Sequence, residues 1–390
     1  MHDVDADSVM AQRAAANDRR GAGSIRRVTI RACVVTISSA ALLLSAASAC
    51  SKPSSSDKPL PPLNPQADSL ESGFGTMDRL VEAAKKEGAL TVVGLPGGWV
   101  GYKEIIARFS DKYGIKVTSI VPEASSKQEI DTAARLKGTN QAPDVFDLTL
   151  EVAVANAKLF APYRVTGWAD IPDEAKEQRG RWYAAYGGYM SIGYDPRKVP
   201  APASYGALVR PGTIVALPGD PRRVASAFSA VMAASLGNGL PDAARGVDLF
   251  ARLKKGGMLG RPDQATAVVD WDFMNAARAA SGRGAAAWRV TIPRNEVLAS
   301  YYMQAISADA PHPAAARLWE EFLLSDEGQN LFLKAYARPA RMEAMEMRDT
   351  LDGDAAARLP EASGDPVILN IPEQDQAKSY VTAHWAQAVG

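Results

Sequence analysis

Hydrophobic and polar positions alternate between two spacings along most of the chain, and that rhythm predicts its elements. Met77, Leu80, Val81 and Ala84 recur at helical spacing, with Thr76 placed to cap the start and Gly88 to end it. Leu90 to Val93 is a short β-branched run that breaks at Gly94-Leu95-Pro96-Gly97-Gly98. Tyr102, Ile105, Ile106, Phe109 and Tyr113 then form a second helical stripe, closed by Gly114. Strands are expected over 115–121 and 144–148, with a helix over 126–136 between them. Repeated strand-helix alternation covers a parallel sheet with helices and predicts an α/β fold.

The same rhythm restarts at 213–217, where a strand runs into Pro218-Gly219-Asp220-Pro221 and an alanine-rich helix reaching 236, so a second sheet is expected. Between the two blocks, Tyr186-Gly187-Gly188-Tyr189 leads into Ser191-Ile192-Gly193-Tyr194, an extended stretch long enough to cross between two lobes. Residues 288–293 are expected to cross back. Helices follow from 313 to 335, with Leu318, Trp319, Phe322 and Leu323 on one stripe and Ser325 capping the next helix. The expected division is therefore 71–190 as the first part of lobe I, 191–287 as lobe II, and 288–390 as the return segment and C-terminal helices of lobe I. A chain of 390 residues exceeds one ordinary core, in keeping with two lobes.

The first fifty residues belong to another class of segment. Arg26, Arg27 and Arg31 precede an apolar run from 32 to 47, and small residues lead to Cys50, the order of an export leader. The run is short for a membrane-spanning helix of about 20 residues. Residues 1–49 are expected to be removed. The exit Ala47-Ser48-Ala49-Cys50 resembles the bacterial lipobox, whose cysteine is acylated and becomes the first mature residue; ordinary cleavage after Ala49 is the alternative. Cys33 lies inside the leader, so Cys50 would be the one retained cysteine and no intramolecular disulfide can form. Residues 50–70, rich in Ser and Pro, read as a tether between lipid anchor and globular body. Asp3, Asp5, Asp7 and Asp18 are foreign to a basic leader, and translation is expected to start near Val28. A peptide from residues 1 to 24 recovered from cells would refute that start.

Charge narrows the partner. With 44 basic and 44 acidic side chains the chain has no net field for nucleic acid, and a small solute is the better expectation. His2 lies in the leader, His312 between two prolines and His384 near the C-terminus, so no spaced metal-ligand cluster exists. No serine elbow, retained Cys-His pair or paired-His motif points to catalysis, and no cofactor is called for. Gly97-Gly98 is followed by Trp99 and not by the lysine of a phosphate-binding loop.

The stretches LVEAAKKEGALTVVG, FSDKYGIKV, PDVFDL, SIGYDPRKV, APHPAAARLWEEFLLSDEGQ and ARP resemble the extracellular solute-binding proteins of ABC importers, in the branch that includes ferric-iron, polyamine, thiamine and aminoethylphosphonate binders. The resemblance covers roughly residues 76–340. It implies a type II periplasmic-binding fold, two α/β lobes joined by two crossing strands that close on a ligand. It also implies an extracytoplasmic monomer that hands its solute to a membrane permease driven by a separate ATPase. An exported enzyme or sensor ectodomain on the same scaffold is the rival reading, because fold does not fix function.

In open α/β sheets, ligands sit beyond the carboxyl ends of strands, where helix N-termini and loops converge. In the first lobe these places hold Gly97, Gly98 and Trp99, a backbone approach with an aromatic wall or else a tight turn over a core tryptophan. They also hold Ser125 and Ser126, which suit a carboxylate or phosphonate or simply cap a helix, and the segment from Asp147 to Thr149. In the second lobe they hold Asp220, which is also a common turn residue, and Asp270-Trp271-Asp272-Phe273. Two carboxylates flanking an indole suit an ammonium group, and a surface turn around a buried Trp271 is the plainer account. Tyr186 and Tyr189 either line the cleft floor or pack in the core. The excess of aspartates favours an amine-bearing solute, a polyamine or a zwitterion, over ferric iron or a phosphonate or carboxylate anion. Adjacent phenolates are hallmark ligands of the iron-binding relatives, but Tyr301-Tyr302 precedes the APHP helix, later than in those relatives, and reads as structural.

Overall fold

The computed structural model describes residues 60–282 and 288–390; the leader, Cys50 and the front of the tether lie outside them. No helix among the described residues is long and apolar enough to cross a membrane. The first lobe opens with α1 (Leu70–Gly73), then α2 (Met77–Glu87), whose Thr76 cap accepts from the Arg79 N–H and whose end is Gly88 in the left-handed region. Then come β1 (Ala89–Val93), α3 (Tyr102–Tyr113), β2 (Lys116–Ile120), α4 (Ser126–Leu136), β3 (Val145–Thr149), α5 (Leu150–Ala155) and the short β4 (Phe160–Ala161). β1 lies parallel to β2 on one side and to β3 on the other. One side of α2 and α3 buries Leu80, Ala84, Tyr102, Ile105 and Phe109, the stripes that the sequence marks out.

β5 (Tyr183–Tyr194) is twelve residues long and belongs to both lobes. The second lobe continues with β6 (Val215–Ala216), α6 (Ala225–Ala233), α7 (Ala243–Lys255), β7 (Ala267–Trp271), α8 (Asp272–Ala280) and β8 (Arg289–Thr291). The chain returns through β9 (Ala299–Ser307) to α9 (Pro313–Leu323), α10 (Asp326–Lys334), β10 (Arg338–Pro339), α11 (Met342–Met347), α12 (Gly353–Ala356) and α13 (Ile371–Ala388). The strand order is β2-β1-β3-β9-β5-β7-β6. Tyr183 to Tyr189 of β5 pair antiparallel with β9, whereas Met190 to Tyr194 pair with β7, so one strand carries hydrogen bonds of both sheets. The outer pairs β1–β2, β1–β3 and β6–β7 are parallel as alternation predicts. The centre is antiparallel, because the chain passes between the lobes and back.

The APHP segment becomes α9, which is buried along almost its whole length. Its free N-terminal N–H groups are met from α2: Glu87 accepts from Ala314 and Ala315 at 3.0 and 2.8 Å. Arg317, fully buried, donates to the Ala67 carbonyl, and Glu321 accepts from the Tyr163 hydroxyl and the Thr166 N–H. The segment is thus a polar keystone of the first lobe as well as an apolar one.

The last helix departs from the expected division. Val367 bridges to Leu298 beside the returning chain, and α13 then packs on α7 of the second lobe, with Trp385 5.7 Å from Phe250. Its buried face is narrow, Ala377, Val381 and Trp385 at every fourth position, which gives the sequence no sign of which lobe it covers. Three passages therefore link the lobes.

At the crossing, Gly188 has no room for a side chain: a Cβ there would sit 2.7 Å from Asp272 Oδ1 and from two Phe273 ring carbons. Gly188→Ala should lower the unfolding free energy by about 1–3 kcal/mol, the usual cost of overpacking. A urea titration reads the change, and a midpoint equal to wild type would contradict this packing.

Candidate functional site

The lobes meet over aromatic side chains from strand ends of both sheets. Trp99, in the loop after β1, lies edge-on to Phe273 of the second lobe at 5.1 Å and to Tyr302 of β9 at 5.3 Å. Trp271, ending β7, stacks on Phe273 at 6.1 Å and meets Tyr302 edge-on at 6.4 Å. The two tryptophans singled out by sequence are thus brought together, through Phe273 of the same candidate segment and through Tyr302, which the sequence reads as structural.

Trp99 is held by a buried relay. Its indole N–H donates to the Tyr186 hydroxyl at 2.7 Å, and that hydroxyl donates to Asp147 Oδ2 at 2.7 Å. Gln304 of β9 donates to Asp147 Oδ1 at 2.9 Å, and Glu129 of α4 accepts from the Asp147 N–H. Burial pushes the Asp147 carboxyl up to about 7, against hydrogen bonds from Tyr186, Tyr102 and Gln304 that pull it down. Asp147 therefore holds the indole N–H end of Trp99 through the Tyr186 hydroxyl.

The second-lobe strand end divides its residues by the pleat. Asp272 is fully buried, pairs with Arg338 at 3.1 Å and accepts from the Tyr189 and Phe273 N–H groups at 3.0 Å each. Asp270 accepts from the Trp271 N–H at 2.9 Å. Burial pushes both carboxyls up to about 6, with Arg338 opposing it at Asp272 and the Trp271 N–H opposing it at Asp270. Trp271 points to the other side, its indole N–H without a partner among the described residues.

Trp271 and Tyr302 wall a small hollow of about 50 Å³ between the lobes. Thr149 and Glu151, at the β3–α5 junction, face it from the first lobe, and Phe228 and Ser229 of α6 from the second. Gln374 and Lys378 of α13 close one side. The Thr149 hydroxyl, like the Trp271 N–H, is buried without a partner, which is costly unless a solute or water supplies one. A wider space of about 280 Å³ lies behind the crossing strands at Tyr189 and Arg338, and a shallow groove of about 610 Å³ runs over β1 and β2. Of these three spaces among the described residues, the small hollow alone combines side chains of both sheets' strand ends with unmet hydrogen bonds.

The remaining sequence candidates sit elsewhere. Gly97 and Gly98 are exposed, and Gly98 faces open space. Ser125 caps α4 in a reciprocal arrangement with Gln128. Ser126 Oγ accepts from the Thr149 N–H at 3.0 Å and so holds the β3–α5 junction in place. Asp220 is occupied by its neighbour Arg222 through both oxygens. The Tyr189 ring lies under the Arg338 guanidinium at 4.4 Å and faces the rear space. Neither Asp270 nor Asp272 lines the hollow. Tyr301 and Tyr302, adjacent on β9, lie on opposite faces and do not converge on one ion. No group of three or more His, Cys, Asp or Glu side chains is placed to hold a metal among the described residues.

The raised carboxyls have a consequence for stability. The folded chain holds these protons more tightly than the unfolded chain, so the stability they permit is full below about pH 4 and is lost as pH rises through about 6 to 7. The urea midpoint should therefore fall between about pH 4 and pH 8. Asp270→Asn keeps the acceptor for the Trp271 N–H and should remove about 2–3 kcal/mol of that fall. A flat wild-type profile, or an unchanged slope in the variant, would contradict the burial described.

Known proteins place this geometry. A search of curated proteins finds no match. Among solved structures, AgtB from A. tumefaciens R10 in complex with agropinic acid aligns with a TM-score of 0.58 at 16% identity, over 77% of this chain and 98% of that one. An ABC transporter substrate-binding protein from Bradyrhizobium japonicum USDA 110 aligns at 0.58 and 14%, over 78% and 100%. Apo ferric ion-binding protein A from Pasteurella haemolytica aligns at 0.58 and 15%, over 76% and 97%. At such identities the likeness speaks for the two-lobed type II fold. The family model described as bacterial extracellular solute-binding protein matches residues 142–362, more than half of the chain and both strand ends of the hollow, and the chain belongs to that family.

Proposed function

We propose that the protein is the extracytoplasmic solute receptor of an ABC importer, held at the cell membrane, in the periplasm or on the outer face of the cytoplasmic membrane, by a lipid on Cys50. A small polar, amine-bearing solute enters between the lobes, and a permease with its own ATPase takes it from there. The single observation that carries this reading is the hollow itself. Side chains from the strand ends of two sheets converge on it, and two of its buried polar atoms, Thr149 Oγ1 and Trp271 Nε1, have no protein partner.

Within this reading Trp271 is the aromatic wall, Tyr302 the floor, backed edge-on by Trp99, and Thr149 the hydroxyl that orients the solute. Asp147 acts through Tyr186 on Trp99, and Asp272 through Arg338 on the crossing strands. The negative charge that meets an amine falls to Glu151, which lines the hollow where Asp220, Asp270 and Asp272 do not. The hollow has room for a few waters, so a solute requires the lobes to part and then to close on it.

Native mass spectrometry of protein purified without denaturation identifies the solute that travels with it. Stripped protein should then become more compact in small-angle scattering when that solute is returned. Unchanged dimensions, or conversion of the solute to a product, would reject a receptor that works by closure.

A further inference from the structure

The C-terminal helix gives the hollow a charge pair that spans the two lobes. Lys378 Nζ of α13 lies 2.6 Å from Glu151 Oε1 at the start of α5. α13 is seated on α7 of the second lobe, and Lys378 also rests 5.4 Å above the Phe228 ring of α6. Glu151 belongs to the first lobe, two residues beyond Thr149. Both side chains are partly withdrawn from solvent, 22% and 36% exposed, and both line the hollow. Among the described residues each is hydrogen-bonded to the other alone.

Their placement makes the pair part of the binding reaction. On the receptor reading, lobes that part carry α13, seated on α7, away from α5 and so separate the pair. When the lobes close on a solute lying between them, Glu151 and Lys378 each need a new partner. A solute with one charge satisfies one of them and strands the other in a partly desolvated place, which costs affinity. A solute with an ammonium group and an acidic group satisfies both.

From this geometry we infer that Glu151 and Lys378 are the specificity-determining pair of the hollow and that the solute is a zwitterion, its ammonium taken by Glu151 and its acid by Lys378. The inference rests on the receptor reading above and narrows its amine-bearing solute to one chemical class. A diamine is the competing occupant, because Glu174 stands exposed at the rim as a second carboxylate.

Calorimetry with straight-chain ω-amino acids, diamines and monocarboxylates of matching length tests it on the wild-type chain and on Glu151→Gln and Lys378→Met. The best ω-amino acid should bind the wild type more tightly than the diamine or monocarboxylate of its length. Each variant should weaken that ω-amino acid by about 30-fold, the order expected when one partner of a desolvated pair is removed. Glu151→Gln should spare the monocarboxylate, and Lys378→Met should spare the diamine. Preference of the wild type for diamines or monocarboxylates overturns the inference and leaves the receptor standing, as does ω-amino acid binding that both variants retain. If the wild type binds none of the three series but compacts with a co-purified solute of other chemistry, the inference again fails alone. If no solute of any class binds or compacts it, the receptor reading fails as well.

Discussion

The continuity of β5 through both sheets is the constraint on which the rest depends. Six of its residues pair with β9 and the last five with β7, so the sheets of the two lobes are joined end to end through one extended backbone. Strand ends that would be remote in two independent domains are thereby turned toward each other. Trp99 from one sheet and Trp271 from the other meet the same two rings, Phe273 and Tyr302. Gly188, where no side chain fits, marks the point at which the strand changes partners.

Buried carboxylates on either side of that crossing convert the geometry into a fixed arrangement. Asp147 collects donors from β5 and β9 in the first lobe, and Asp272 ties the start of α8 to Arg338 and the Tyr189 backbone. A buried carboxylate is expensive to ionise, and its value here is positional: each oxygen accepts from a group that would otherwise be unpaired. The hollow is left with the groups that these networks do not use, the Thr149 hydroxyl, the Trp271 N–H and the Glu151–Lys378 pair.

Much of the scaffold was legible in the sequence. Helical stripes with capping residues gave α2, α3 and α4 nearly to the residue, and the Tyr-Gly-Gly-Tyr run marked the crossing strand. Local pattern was less informative about direction. An aspartate at a strand end reads the same whether it faces a cleft or, like Asp272, an arginine brought in from β10. Asp220 is similar, since the neighbour that occupies it, Arg222, gives no sign in sequence of folding back. Trp99 and Trp271 stood out because glycine turns and flanking charges set them apart. Tyr302, Glu151 and Lys378 sit inside ordinary strand and helix patterns, and only tertiary contacts among β9, α5 and α13 bring them to one place. The narrow apolar face of α13 likewise carried no mark of the lobe it covers.

The most direct measurement is a crystal structure of the protein with the solute that co-purifies with it. The account predicts solute density between Tyr302, Trp271 and Thr149, in contact with both lobes, with the Glu151–Lys378 contact opened around it. Density confined to the groove over β1 and β2, or to the space behind the crossing strands, with the interlobe hollow unchanged, would contradict it.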